Sequence, residues 1–67
     1  MTDADKVIQL DQFLKLKGLV ATGGEAKYMI QSGQVRLNHE VETRRKKKIK
    51  PGDLVEIHGQ TLTAEWD

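Results

Sequence analysis

Residues 22–43, TGGEAKYMIQSGQVRLNHEVET, decide the fold, because the spacing of apolar side chains changes period inside them. Up to Ser32 the period is helical. Ala26, Met29, Ile30 and Gly33 share one face, and Lys27, Tyr28 and Gln31 share another. Thr22-Gly23-Gly24-Glu25 reads as a capping box, in which Thr22 accepts from the third helical N–H and Glu25 reaches back to the N–H of Thr22. Gly33 is placed to close the helix in a left-handed conformation. From Gln34 the period is 2: Val35 and Leu37 alternate with Gln34 and Arg36, Asn38-His39 forms a tight turn, and Val41 and Thr43 alternate with Glu40 and Glu42. A helix followed at once by a hairpin points to an α+β domain.

Upstream, Leu10, Phe13, Leu14 and Leu16 fall within one broad helical arc, with Asp11, Gln12 and Lys15 opposite. Asp11 in the first turn, Lys15 and Lys17 near the end and Gly18 as a stop suit a helix of about two turns. Lys17 points toward the apolar arc, so either the helix has ended there or its stem lies along the core while the ammonium reaches water. Val7-Ile8 is too short to classify, and residues 1–6 are polar and expected to be disordered. Downstream, Pro51-Gly52-Asp53 is a turn signal, Leu54-Val55-Glu56-Ile57 a third strand, His58-Gly59 another turn and Gln60–Ala64 a fourth, edge-like strand. The expected fold is α+β, with two short packed N-terminal helices (near 10–17 and 23–32) followed by a small antiparallel sheet of three to four strands.

Between the hairpin and that turn lies TRRKKKIK, residues 43–50, with six positive charges in eight residues. Such a run normally marks a solvated tail or an interaction segment, since like charges repel and bury nothing. Here a hairpin precedes it and a turn and strand follow, so it reads as a loop anchored by Thr43 and Ile49. The chain's net charge of +1 conceals its segregation. Residues 15–50 hold ten Lys or Arg against three acids, a balance of +7, and the remainder holds one base against seven acids, a balance of −6. A basic middle between acidic ends is the footprint of a polyanion partner.

With 67 residues the chain is expected to form one domain spanning residues 1–67. It has no cysteine, so packing alone must stabilise it. No apolar run approaches membrane-spanning length and the acidic start is unlike a signal peptide, so a cytoplasmic protein is expected. His39 and His58 fall in turns, away from any ligand spacing, which argues against a metal site. There is no nucleophile with a base at a recognisable spacing and no phosphate-cradling glycine loop. The expectation is therefore no enzyme, no cofactor and no small-molecule substrate.

Taken together, Leu10-Asp11-x-Phe13-Leu14, the capped helix with Glu25-Ala26, Gly33-x-Val35-x-Leu37-Asn38, Val41-x-Thr43, and Lys48-x-Lys50-Pro51-Gly52-Asp53 resemble the RNA-binding domain named after the fourth protein of the small ribosomal subunit, the alpha-L RNA-binding motif. The match runs from Leu10 to about Ile57 and is closest to the short stand-alone bacterial members. The resemblance implies binding to structured or ribosomal RNA, or to a ribosomal particle, through the two helices and adjoining strand loops. Three positions depart from the family's habit. Gln9 stands where many members have a basic residue, Gly23 where an arginine enters the second helix, and His39 where a glycine follows the hairpin asparagine.

The candidate RNA-binding residues are Arg44, Arg45, Lys46, Lys47, Lys48 and Lys50 of the basic run, together with Lys15, Lys17, Thr22, Lys27, Tyr28, Gln31, Arg36 and Asn38. Lysines act as point charges on phosphates, while Arg44 and Arg45 can grip them bidentately. Lys15, Lys27, Thr22 and the amides of Gly23 and Gly24 form either a phosphate sub-site or an ordinary capped helix start, with Glu25 opposing an anion. Tyr28 is either a stacking platform for an unpaired base or a rim residue, and Trp66 an edge-closing residue. Two rival readings remain, a DNA-binding helix-turn-helix protein and an adaptor docking an acidic partner. A monomer is expected in each case.

Overall fold

The computed structural model describes residues 7–65; the expectations about residues 1–6 and Trp66 fall outside them. The order of elements is β1 (Ile8–Gln9), α1 (Leu10–Leu16), α2 (Gly23–Gln31), β2 (Arg36–Leu37), β3 (Glu40–Val41), β4 (Lys48–Ile49), β5 (Leu54–Ile57) and β6 (Gln60–Thr63). The main sheet is antiparallel with order β3-β2-β5-β6, and β1 pairs with β4 in a separate two-stranded ribbon. The fold is α+β as expected. Two strands go beyond the expectation, since neither Ile8–Gln9 nor Lys48–Ile49 carries a strand pattern.

Both helices stop by the same device. After α1, Gly18 takes φ 71°, its N–H donates to the Lys15 carbonyl at 3.0 Å, and Leu19 N–H donates to the Leu14 carbonyl at 2.9 Å. After α2, Gly33 takes φ 81°, its N–H donates to Ile30 O at 3.1 Å, and Gln34 N–H donates to Met29 O at 3.0 Å. These paired bonds are the Schellman motif, whose left-handed residue glycine adopts without a Cβ penalty. α1 is therefore complete at Leu16, and Lys17, its C-cap, holds its ammonium 6.0 Å from the Phe13 ring centroid.

The start of α2 corrects one expectation. Glu25 N–H donates to the Thr22 hydroxyl at 3.1 Å, but the Glu25 carboxylate accepts from Ala21 N–H at 2.7 Å rather than from Thr22. The reciprocal half of the box has moved one residue upstream. At α1, Gln9 N–H donates to the Gln12 side chain at 3.1 Å, a reach-back from the third helical residue that the sequence reading missed.

Leu10, Phe13, Leu14, Val20, Ala26, Met29, Ile30, Val35, Leu37, Ile49, Val55, Ile57 and Ala64 form one buried cluster. Leu16 does not join it and is 61% exposed. At 100° per residue it lies about 60° beyond Phe13, off the end of the arc that faces the core. Val41 is also exposed, because it pairs with Arg36 on the solvent side of the sheet.

Both hairpin turns contain two residues with positive φ, the pattern of a type I′ turn: Asn38 (52°) and His39 (72°), then His58 (55°) and Gly59 (74°). His39 thus occupies the glycine's conformation, and the turn keeps its usual type despite the substitution. The Pro51-Gly52 turn is closed by Asp53 N–H donating to Lys50 O at 3.1 Å, with Gly52 at φ 99°.

A candidate RNA interface

The basic run is not a free loop. Lys48–Ile49 pairs with Ile8–Gln9 in register, Ile8 opposite Ile49 and Gln9 opposite Lys48. Immediately before β4, the Lys47 carbonyl accepts from Leu10 N–H at 2.8 Å and the Arg45 carbonyl from Asp11 N–H at 3.0 Å. Those donors belong to the first turn of α1, where backbone N–H groups have no intrahelical partner. The segment caps the helix with its carbonyls and is aligned by it in return. Ile49, 1% exposed, pins the far end into the core. Residues 44–50 therefore form a strap whose backbone is held at several points while the side chains of Lys46, Lys48 and Lys50 stay exposed.

Two clefts flank the strap and meet at Lys47. One, about 250 Å³, is lined by Val7, Leu37, Asn38, Lys47, Lys48, Ile49, Lys50 and Asp53. The other, about 340 Å³, is lined by Leu37, Asn38, Glu40, Val41, Glu42, Arg44 and Lys47. A third depression, on the sheet's solvent face, gathers Gln34, Arg36, Glu56 and His58. Arg36 is thus separated from the strap, and it stands opposite Glu56 in the β2–β5 register.

Among the described residues the only contacts between a basic and an acidic side chain are the His39–Glu56 hydrogen bond at 3.2 Å and the Arg44–Glu42 ion pair at 2.9 Å. Arg45, Lys46, Lys47, Lys48 and Lys50 face no carboxylate partner there, whereas Arg44 is engaged: its Nε donates to Glu42 Oε2 at 2.9 Å, its Nη2 to Oε1 at 3.2 Å, and its backbone N–H to Oε2 at 3.0 Å. Glu42 thus engages one edge of the Arg44 guanidinium, the Nε–H and one Nη2–H. Those hydrogen bonds hold the Glu42 carboxyl below its ordinary pKa and push the Arg44 guanidinium above its own. An ion pair two residues apart leaves no periodic trace, so sequence reasoning missed it.

Asn38 is likewise committed to the fold. Its Oδ1 accepts from Leu54 N–H at 2.9 Å, its Nδ2 donates to Asp53 Oδ1 at 3.4 Å, and its backbone N–H donates to Leu54 O at 2.7 Å. Asp53 also accepts from Lys50 N–H at 3.0 Å, which ties the end of the strap to the hairpin turn. His58 Nε2–H donates to the Leu19 carbonyl at 3.1 Å, which fastens this turn to the segment after α1.

Lys15, Lys17, Lys27, Tyr28 and Gln31 are all exposed, Tyr28 to 66%, but none lines either cleft beside the strap. The Thr22 hydroxyl serves the α2 cap, with the Glu25 carboxylate beside it. No group of three or more potential ligands for a metal occurs among the described residues. Nor is any helix there long and apolar enough to cross a membrane.

A small α+β unit with a helix-capping cationic strap is one class of protein, and comparison with known chains places it further. The S4 domain family model matches residues 2–64, and the chain belongs to the S4 domain family. It is 43% identical over 54 residues to the "Probable ribosome maturation protein RlbA" of Bacillus subtilis (strain 168), covering 81% of this chain and 76% of that one. It is 38% identical over 55 residues to the "Putative RNA-binding protein YbcJ" of Escherichia coli (strain K12), covering 82% and 79%. In structure it is similar to the 30S ribosomal protein S4e from Thermoplasma acidophilum, with a TM-score of 0.79 and 19% identity. That match covers 94% of this chain and 33% of the larger one, and it bears on the fold alone.

Proposed function

We propose that the chain is a non-catalytic RNA-binding module that uses its strap to engage the phosphates of structured RNA, ribosomal RNA foremost, and that it serves ribosomal particles in the cytoplasm as a monomer. The observation that carries the reading is the strap. Five cations, Arg45 to Lys48 and Lys50, have no carboxylate partner among the described residues, on a backbone held by α1 and β1. Cations that are not internally neutralised release condensed counterions when they meet phosphates, and a held backbone presents them at less entropic cost than a loose tail. Family membership and the names of the two bacterial relatives support RNA over other polyanions. Nothing in the site assembles a nucleophile and a base.

Filter-binding titrations of ribosomal RNA fragments, duplex DNA and an acidic polypeptide, each over a range of salt, test this reading. The triple variant Lys46→Ala, Lys48→Ala, Lys50→Ala removes only exposed side chains, so folding should change little. Its affinity for the ribosomal RNA fragments should fall, and the slope of log affinity against log salt should flatten by about 2–3, at about 0.7–0.9 per phosphate lost. Unchanged binding would exclude the strap. Equal affinity for duplex DNA would remove the preference for RNA.

A further inference from the structure

The two clefts that meet at Lys47 differ in charge. The one toward β4 sets Lys47, Lys48 and Lys50 against Asp53 alone, net +2, as a phosphate site should. The one toward β3 sets Arg44 and Lys47 against Glu40 and Glu42, net zero. A phosphate entering the second cleft would meet two carboxylates. If it docked on the outer edge of Arg44 it would lie roughly twice as far from Glu42 as from the guanidinium, and by Coulomb's law about half of the attraction would be cancelled.

Arg44 is nevertheless well presented. Its side chain is 70% exposed, whereas that of Glu42 is 12% exposed and accepts three hydrogen bonds from Arg44. Releasing Glu42 would leave a half-buried carboxylate without those partners, so an incoming group does not displace it. Glu42 uses the Nε–H and one Nη2–H. The opposite edge of the guanidinium, with Nη1–H and the second Nη2–H, remains as a parallel pair of donors. Glu40 lines the same cleft, is exposed, and its carboxylate has no hydrogen-bond or ion-pair partner among the described residues. The cleft's volume, about 340 Å³, lies at the lower end of the range for ligand sites.

We infer that this neutral cleft is a base-reading subsite for an unpaired guanine, with Arg44 held by Glu42 as its reading residue. Guanine alone among the bases sets two acceptors, O6 and N7, side by side on one edge, where a guanidinium edge meets them bidentately. Its N1–H and N2–H₂ donors lie on the adjoining edge, where the Glu40 carboxylate can accept. Adenine would present an amino group where O6 belongs, and pyrimidines have no N7, so each leaves a donor unmet. Division of labour follows: the cationic cleft tracks the phosphates and the neutral one reads a base. The inference rests on the RNA-binding reading above.

The test is fluorescence anisotropy with two unstructured single-stranded 12-mers, one of uridine only and one with isolated guanines among uridines. Wild type should bind the guanine-bearing strand several-fold more tightly. Arg44→Lys keeps the charge but removes the fork, and Glu40→Ala removes the acceptor without touching a side-chain bond of the fold. Each should bring the ratio of the two affinities down to about one, whatever it does to binding of the uridine strand. Lys50→Ala should instead weaken both strands in equal proportion. Melting curves check folding, and Glu40→Ala keeps the test decisive if Arg44→Lys unfolds. No guanine preference in wild type, or equal loss on both strands in the Arg44 and Glu40 variants, overturns the subsite while leaving RNA binding intact. Failure of wild type to bind either strand while it still binds ribosomal RNA fragments overturns the subsite alone, and failure on the fragments as well sinks the RNA reading and the subsite with it.

Discussion

The helix pair and the strap both carry clusters of positive charge, and they are held in opposite ways. α1 and α2 are built from bonds within a few residues: Thr22 to Glu25, Gly18 to Lys15, Gly33 to Ile30. The strap has few such bonds and borrows its order from afar, since Lys47 and Arg45 accept from Leu10 and Asp11, and Ile49 pairs with Ile8. The difference teaches where a sequence reading works. Thr22, Gly18, Gly33 and the apolar spacing in between mark local events, and both helices and the first hairpin were legible from them. The β1–β4 ribbon joins two-residue strands about forty positions apart, one of them inside a charge run, and no period can show in two residues. For the same reason the strap reads from sequence as a loop anchored by Thr43 and Ile49, with no sign that its carbonyls cap α1.

The candidate site divides along the same line. That residues 44–50 would form a cationic element was plain from composition, but its neutral and cationic sides were not. They depend on Glu40 and Glu42 being carried by β3 to one flank and Asp53 by the Pro51-Gly52 turn to the other. Asn38, which looks from sequence like an RNA contact, is used to fasten the hairpin turn to Leu54 and Asp53. The lysines of the helices, read from sequence as part of the same face, line neither cleft.

The largest effect that could break the comparison is Ile49→Ala. Removing a buried isoleucine from a core of thirteen buried apolar residues should cost about 2–5 kcal/mol, a large share of a small domain's stability. Urea denaturation would measure it. Hydrogen exchange gives the sharper reading: the amides of Leu10 and Asp11, which donate to the strap, should lose protection ahead of Ala26 in α2. If all three open together, the strap is as integral as the helices and the contrast fails.

Thr22→Ala is the local counterpart. It deletes the hydroxyl that accepts from Glu25 N–H, and an N-cap of this type contributes about 1 kcal/mol. Exchange should quicken at the start of α2 and leave Leu10 and Asp11 unchanged. A response at the strap would show that the two regions are coupled.

His39→Gly acts at the turn nearest both. At φ 72° a side chain strains the backbone by about 1–2 kcal/mol, and glycine relieves that while adding freedom to the unfolded chain. The contact between His39 and Glu56 is exposed and contributes little. A net gain of about 0.5–1 kcal/mol is expected, read as a higher urea midpoint. A loss would mean that the His39–Glu56 pair outweighs the strain.

The smallest expected effect concerns the one short-range ion pair at the strap's entry. Hydrogen bonds from Arg44 lower the Glu42 pKa against the opposing pull of burial, with a further contribution from the charge of Lys47. A carboxyl whose folded pKa lies below its unfolded value stabilises the fold above the unfolded value and loses that contribution as pH falls through the folded one. With an ordinary value of 4.5, the contribution should be complete at neutral pH and fade below 4.5. Stability curves between about pH 3 and 7 should therefore be less steep on the acid side for Glu42→Gln than for wild type. Arg44→Lys separates the causes, because it keeps the charge and discards the fork: if hydrogen bonding dominates, its acid limb should resemble that of Glu42→Gln, and if charge dominates it should resemble wild type. In either case protection at Leu10 and Asp11 should persist, since their acceptors are backbone carbonyls of Arg45 and Lys47 rather than this pair. Loss of that protection in Glu42→Gln would mean that a local ion pair sets the strap's course, and the division between locally built helices and a remotely held strap would have to be redrawn.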